Sequence, residues 1–364
     1  MNGMSLFQEG PAINEEPNLP RASYFLMNIA LMITTKCQVN CRHCIIHRGH
    51  FTRADTSLPN ILEWIEQISA YDQGSIKMIY LTGGEPFYDL ENLRTISSYA
   101  GSRGLSVSVI TNGIWAKSQK QAITILQQLP SIKMVAISTD AYHQDYIPLK
   151  NVINAIEAAK KCEKIYVVNV CTEDTEDAVY KETVTSLEKN VKSEFVNTMI
   201  TIPFGEKNDT TDKPDYQYTV EPDRLPCFMI NFPAITVDGT VLACCGGLLA
   251  INGNHPLILG NMDNEPLSDI LKKADMNPIL HALRIWGPAI FISYIKNAKL
   301  GDDLPEKYRL NCPCDVCYNL LSSPLIVKYL FELAEDKEFC RKVAYGRVYY
   351  FGESSMADKY QSTE

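Results

Sequence analysis

Three cysteines, Cys37, Cys41 and Cys44, stand at C-x3-C-x2-C spacing directly after the apolar run Ile29–Ile33. Thiolates are soft ligands that suit iron–sulfur clusters. Three of them can hold three irons of a 4Fe–4S cube and leave the fourth iron without a protein ligand. An iron with an open position is a place for chemistry, whereas a fourth cysteine would make an electron carrier. The same spacing fits a zinc site completed by His43 or His47, and it fits three buried free thiols. A second group lies far downstream: Cys227, the pair Cys244-Cys245, and Cys312-Pro-Cys314-Asp-Val-Cys317. A cysteine, a hairpin carrying Gly239-x4-Cys244 and a distant C-x2-C can converge on a second metal, either a cluster or a structural zinc.

The segment Leu81-Thr82-Gly83-Gly84-Glu85-Pro86 follows another strand-like run, Ile76–Tyr80. Two glycines after a strand let the backbone approach a bound ligand closely. Glu85 can accept hydrogen bonds from an ammonium group. With both motifs in this order, the chain resembles the radical S-adenosylmethionine (SAM) superfamily. The resemblance implies that Cys37, Cys41 and Cys44 hold a 4Fe–4S cluster whose open iron chelates the amino and carboxylate groups of SAM. It also implies that Gly83, Gly84 and Glu85 hold the same amine.

Two further strand ends, Thr111-Asn112-Gly113 and Ser138-Thr139-Asp140, carry hydroxyl, amide and carboxylate groups able to bond a ribose and an amino acid. Similar segments in the superfamily touch the ribose and carboxylate of SAM, so Thr111, Asn112, Ser138 and Asp140 join the candidates. Asn112-Gly113 also reads as an ordinary turn, and Tyr142-His143 as a cap on the next segment. Cys162 and Cys171 read as small buried hydrophobes without a role.

The downstream cysteines are similar to the SPASM/twitch extensions of the same superfamily, which carry auxiliary 4Fe–4S clusters. This chain has cysteines for one such cluster, so the shorter twitch form is implied, with Cys227, Cys244, Cys314 and Cys317 as ligands. Cys312 could replace Cys314, and Cys245 could replace Cys244. On an extended strand successive side chains point to opposite faces. Both sulfurs of Cys244-Cys245 should therefore not reach one cluster, and Cys245 is expected to face elsewhere, towards the mouth of the barrel. A thiol there could return a hydrogen to a carbon radical on the face opposite to the one from which a 5′-deoxyadenosyl radical took it, inverting the centre. A cysteine so placed resembles the hydrogen donor of radical SAM epimerases that act on ribosomally made peptides. That branch is also similar at Thr111–Trp115, at Asp140–His143 and at the closing pair Cys314 and Cys317.

The implied activity is L-to-D epimerisation of a precursor peptide, with a flavodoxin or ferredoxin-type reductant. Competing readings with the same machinery are a radical SAM dehydrogenase, a sugar epimerase and a thioether-forming peptide maturase. A non-catalytic metal-binding protein is the reading from another class.

These residues need a scaffold, and the pattern between them supplies one. Strand-like runs near 28–35, 76–81, 105–110, 132–138, 164–171 and 196–203 alternate with helical patterns such as Ile61, Ile65, Ile68 and Val152, Ala155, Ile156, Ala159. Such β-α repeats predict a parallel sheet covered by helices. The resemblance implies a six-stranded (β/α)6 partial TIM barrel, followed by a twitch-type β-hairpin/helix domain. Functional residues of such sheets collect at the carboxyl ends of strands, where both motifs fall. The expected divisions are a flexible arm over 1–24, the barrel over 25–205, a polar linker over 206–226, the auxiliary domain over 227–325 and a helical tail over 326–364. Asp238-Gly239 between two β-branched runs predicts a hairpin turn, and Leu267, Ile270, Leu271 and Ala274 predict an amphipathic helix.

Composition narrows the class. At 46% hydrophobic and 21% charged, the 364 residues are those of a globular protein. A net charge of −9 argues against a broad nucleic-acid or anionic-membrane surface. No apolar run approaches the ~20 residues of a membrane span. The first twenty residues, with Glu9, Glu15 and Glu16, lack the character of a signal peptide. The twelve cysteines are thus expected as thiols and ligands in a reducing cytoplasm.

Overall fold

The computed structural model describes residues 25–73, 75–202 and 217–356. The expected arm over 1–24, residues 203–205 at the end of the expected barrel, residues 206–216 of the expected linker and the final residues 357–364 lie outside the described residues.

Six parallel strands form the scaffold: β1 (Asn28–Thr34), β2 (Met78–Gly83), β3 (Ser106–Thr111), β4 (Ile132–Ser138), β5 (Ile165–Thr172) and β6 (Val196–Ile200), paired in sequential order. The helices between them are α1 (Ile45–Arg48), α2 (Leu58–Ala70), α3 (Leu90–Ser102), α4 (Gln119–Gln127), α5 (Ala141–Gln144), α6 (Leu149–Lys161) and α7 (Ala178–Glu188). Side chains alternate across each strand. Val107 and Val109 of β3, Val135 and Ile137 of β4, and Val168 and Val170 of β5 are fully buried in the main core. Val152, Ala155, Ile156 and Ala159 of α6 pack against β4 and β5, and Ile61, Trp64, Ile65 and Ile68 of α2 are buried in the same core. The apolar stripes thus have the helical period expected from the sequence. Helix starts are set locally, by Ser57, Asp89, Ser118 and Asp177 accepting from the backbone N–H of the third residue of α2, α3, α4 and α7.

The sheet does not end at β1. A short antiparallel pair, β7 (Tyr218–Thr219) with β11 (Tyr308–Arg309), flanks the second half of the chain. Strands β8 (Ala234–Ile235), β9 (Thr240–Leu242) and β10 (Ile258–Asn261) continue the main sheet beyond β1, giving nine strands. The hairpin expected at Asp238-Gly239 is present, with Gly239 at φ +77. It is not a detached module, because β8 lies parallel to β1 with Ala30 opposite Ala234 and Leu31 opposite Ile235. A barrel that does not close leaves an edge of unpaired backbone groups, and β8 covers some of it. The hairpin turn is pinned from the other side: Asp238 accepts from Thr52 N, Thr52 Oγ1 and Arg53 N at 2.7–3.0 Å.

The remaining helices are α8 (Leu267–Met276), α9 (Pro278–Trp286), α10 (Ile290–Asn297), α11 (Pro313–Ser322), α12 (Pro324–Ala334) and α13 (Lys337–Phe351). The face Leu267, Ile270, Leu271 and Ala274 of α8 is buried as the periodicity predicts. Arg284 and Arg347 converge on the carboxylate of Glu353 at 2.6 Å, tying the end of α13 to α9. The tail is therefore docked on the body through this buried network.

Candidate active site

Cys37, Cys41 and Cys44 lie on the loop that leaves β1. Two sets of bonds hold that loop. Thr34 Oγ1 donates to Asp55 at 2.7 Å and Lys36 pairs with the same carboxylate at 2.5 Å. On the other side Gly84 N donates to Thr34 O and Glu85 N to Lys36 O, both at 2.8 Å. The two motifs of the sequence are thus stitched together. A Cβ on Gly83 would stand 2.0 Å from Thr34 O, and one on Gly84 2.2 Å from Lys36 O. The glycines admit the backbone of the cysteine loop. This approach is tertiary, and no local pattern records it.

The three thiols are electrostatic neighbours. Burial pushes Cys41 up to about 12, with Cys44, Asp140 and Cys37 adding to the rise; burial also raises Cys37, with Glu85 and Cys44 contributing. Such thiols lose their protons readily only to a bound cation, so the set fits a metal cluster. Asn112 reaches Cys37 Sγ through Nδ2 at 3.5 Å. Its other groups turn inward, the backbone N–H to Glu85 Oε2 at 2.7 Å and Oδ1 to Ile114 N at 2.9 Å.

Glu85 is fully buried. Its carboxylate accepts from Thr111 Oγ1, Asn112 N and Phe87 N, linking the end of β2 to the end of β3. Burial outweighs these bonds and raises its pKa to about 7. Thr111 Oγ1 also accepts from Gly113 N and Trp115 Nε1. Ser138 closes β4 on the face opposite the buried Val135 and Ile137. Asp140 caps α5, accepting from Tyr142 N and His143 N at 3.0 Å, and holds His143 Nδ1 at 2.8 Å. The capping expected of Tyr142-His143 therefore belongs to Asp140. Cys171, which the sequence leaves without a role, lies close enough to Cys41 and Asp140 for both to raise its pKa, after burial. Only the pairing of β5 with β4 brings it there.

The second cysteine group forms a separate cavity. Cys227, Cys244, Cys314 and Cys317 line it together with Ile230 and Leu283. Cys314 and Cys317 are one turn apart at the start of α11 and so share a face. Amide N–H groups of Gly246 and Leu248 donate to Cys244, that of Gly247 to Cys314, and those of Ile230 and Met229 to Cys227. Burial raises all four thiols, and the charges of Cys227, Cys244 and Cys314 raise one or more of the others. Four grouped sulfurs with amides aimed at three of them fit a bound metal centre. Neither Cys312 nor Cys245 lines the cavity. Cys312 is buried as the N-cap of α11.

Of the adjacent pair only Cys244 lines the cavity, and strand alternation does not account for the difference. β9 ends at Leu242, and the pair lies in the bend that leads into a short helical turn at Gly247–Ala250. Cys245 is half-buried, with burial pushing its thiol up to about 12, and its electrostatic neighbours are Cys244, Cys314 and Tyr80. Tyr80 is on the face of β2 opposite the fully buried Ile79 and Leu81, the inner face of the barrel.

Comparison with known proteins gives three findings. The model of the radical SAM superfamily matches residues 31–206. YydG of Bacillus subtilis (strain 168), named for peptide biosynthesis, is 21% identical over 317 residues, covering 84% of this chain and 96% of YydG. Among solved structures, BtrN in complex with AdoMet and 2-DOIA aligns at 14% identity and TM-score 0.44 over 71% of this chain and 87% of BtrN. The enzyme anSMEcpe with bound AdoMet and Cp18Cys peptide aligns at 16% identity and TM-score 0.45 over 67% and 80%. Among the described residues no helix is long and apolar enough to cross a membrane.

Proposed function

From the match of residues 31–206 to the model of the radical SAM superfamily, we propose that this chain is a radical SAM enzyme that epimerises residues of a ribosomally made peptide. Cys37, Cys41 and Cys44 hold the 4Fe–4S cluster. When bound, that cluster and SAM supply the 5′-deoxyadenosyl radical that removes a substrate hydrogen. The chain's own contribution is placement. The Gly83-Gly84-Glu85 segment fixes the cysteine loop through Thr34 and Lys36, while Glu85 carries Thr111 and Asn112 to the same rim. Ser138 and Asp140 complete that rim at the end of β4. Cys227, Cys244, Cys314 and Cys317 hold an auxiliary cluster in the second cavity, and a flavodoxin or ferredoxin-type protein provides electrons.

Cys245 would return a hydrogen from the opposite face of the carbon, and the thiyl radical left behind would regain an electron from the reductant by way of the auxiliary cluster and a proton from solvent. The observation that supports this reading is that Cys244 lines the cavity whereas Cys245, beside it and near both Cys314 and Tyr80, does not. A thiol excluded from the metal site, half-buried and beside the lumen, has an S–H bond weak enough to give its hydrogen to a carbon radical. The similarity to YydG, named for peptide biosynthesis, supports a peptide as the substrate class.

The test is the reaction of anaerobically reconstituted enzyme in deuterated water with precursor peptides encoded beside its gene. One solvent deuterium should enter each inverted residue. Cys245→Ala should still cleave SAM yet fail to invert the peptide. Normal inversion by that variant would remove the donor assignment, and zinc-only protein that never cleaves SAM would remove the whole reading.

A further inference from the structure

The two edges of the nine-stranded sheet are treated differently. β10 ends one side and is packed by α8, with Ile270 against Gly260. β6 ends the other side and pairs with β5 alone. Among the described residues this edge is open: Asn197, Thr198 and Met199 are exposed, and Val196 and Ile200 are half-buried. Natural sheets blunt such edges with charge, proline or a bulge. Val196–Ile200 has no charged residue and no proline, and its register with β5 is unbroken.

The ladder fixes where the spare backbone groups point. Thr201 N donates to Thr172 O at 2.9 Å, so Thr201 turns its backbone to β5. Along a strand the N–H and C=O of one residue point to the side opposite to those of the next. Asn197 and Met199 therefore face β5 with Thr201, and Thr198 and Ile200 present N–H and C=O outward. Among the described residues no hydrogen bond reaches those four groups. The side chains are engaged elsewhere: Thr198 Oγ1 meets the Tyr180 hydroxyl of α7 at 2.8 Å, and on the other face Asn197 donates to Asn169 at 3.2 Å.

This edge leads to the two cysteine sites. Met199 lies opposite Cys171, the neighbour of Cys41 and Asp140. Two residues past β6, Ile202 Cδ1 is 2.9 Å from where a Cβ on Gly247 would stand, and Gly247 follows Cys245 by two positions. A strand laid along β6 thus runs towards the space between the cysteine loop and the segment that carries Cys245. Pairing there needs alternating N–H and C=O groups at strand spacing, which a peptide has and a sugar lacks. We propose, resting on the peptide reading above, that an extended stretch of the peptide substrate adds to the sheet beside β6, bonded to the N–H and C=O groups of Thr198 and Ile200. Backbone pairing holds a Cα without regard to its side chain, so register along β6 selects the residue that is inverted.

The experiment measures binding of fluorescein-labelled precursor peptides, encoded beside the gene, to reconstituted enzyme by anisotropy, with SAM cleavage and inversion read in parallel. Thr198→Pro removes one outward N–H and leaves the β5 ladder, since proline is tolerated where the N–H of an edge strand faces solvent. It should keep its iron and basal SAM cleavage and weaken the peptide about 3- to 10-fold, the range of one hydrogen bond. Thr198→Val, which loses the same Tyr180 contact and keeps the N–H, should bind as wild type does. With wild-type enzyme, peptides N-methylated one residue at a time should lose a similar factor at alternate positions of the paired stretch and nothing between them; this series decides alone where Thr198→Pro does not fold. Equal binding by a folded Thr198→Pro and Thr198→Val, or N-methyl losses without the two-residue period, would overturn the docking. So would a wild-type dimer that Thr198→Pro dissociates, which gives the edge to a second copy of the chain. Peptides bound with the two-residue period yet never inverted would overturn the epimerase reading and leave the docking standing, whereas inversion without that period does the reverse. Wild type that binds none of these peptides would overturn both.

Discussion

The two cysteine sites are built differently. The first has three thiols at the rim of a parallel sheet, among polar side chains: Asn112 on Cys37, Asp140 and Glu85 close by, and two histidines beside them. The second has four thiols in a cavity lined by apolar side chains, and the groups that meet its sulfurs are backbone amides. Four ligands complete a metal centre and close it, whereas three leave a position free. Side chains with spare donors and acceptors suit a site that receives a ligand. Amides, which cannot move away or titrate, suit a site that only holds a centre in place. On the proposed reading, the contrast gives ligand chemistry to the first site and support to the second.

The comparison breaks most sharply on the cysteines themselves. Cys41→Ala should lose the iron of the first site and abolish SAM cleavage. Cys317→Ala should lose that of the second while SAM cleavage persists and peptide inversion fails, each seen by iron content and EPR. Cys171→Ala, beside Cys41, should keep both clusters; loss of the first would make Cys171 a fourth ligand and close the site that is read as open.

Next in size is a pH effect confined to the first site. Glu85 has a folded pKa of about 7, raised by burial from the ordinary 4.5. A folded state that binds the proton more tightly is stabilised below pH 4.5 and loses that stability as the pH rises through 7. The loss is at most about 3 kcal/mol from this group. Thermal melts across this window should show Glu85→Gln with a flatter pH dependence than wild type; parallel curves would mean that Glu85 is already ionised in the fold.

The smallest effect sharpens the role of the glycines. Gly84→Ala places a methyl group against Lys36 O and should cost about 1–3 kcal/mol by forcing the backbone apart. Iron should fall at the first site and not at the second. Normal iron with weakened SAM binding would instead return the glycine to the ligand-clearing role.

Much of this arrangement is legible in the sequence. The apolar periods of α2, α6 and α8, the six strand runs and the Asp238-Gly239 turn are local, and each forms where local pattern places it. Boundaries moved by a few residues: β2 runs from Met78 to Gly83, so the first glycine belongs to the strand. The two cysteine groupings are also recovered, since spacing along one loop or one helical turn limits how far sulfurs can separate. Less legible is the inward turn of Glu85, whose partners Thr111 and Asn112 come from the neighbouring strand. The same is true of His143, although Asp at a helix start with His three residues on was a usable sign of an Asp–His contact.

What the sequence by itself determined is therefore the inventory and its local geometry: three thiols in one loop, alternating β-α units, a hairpin and a C-x2-C on a helix. Tertiary structure alone decided that of Cys244 and Cys245, past the end of β9, only Cys244 lines the second cavity, that Gly83 and Gly84 make room for Thr34–Lys36, that β8 covers β1, and that Cys171 arrives beside Cys41. The physical reason is range. Periodicity and spacing act over a helical turn or a strand, whereas these contacts join residues dozens of positions apart, and only packing the whole chain brings them together.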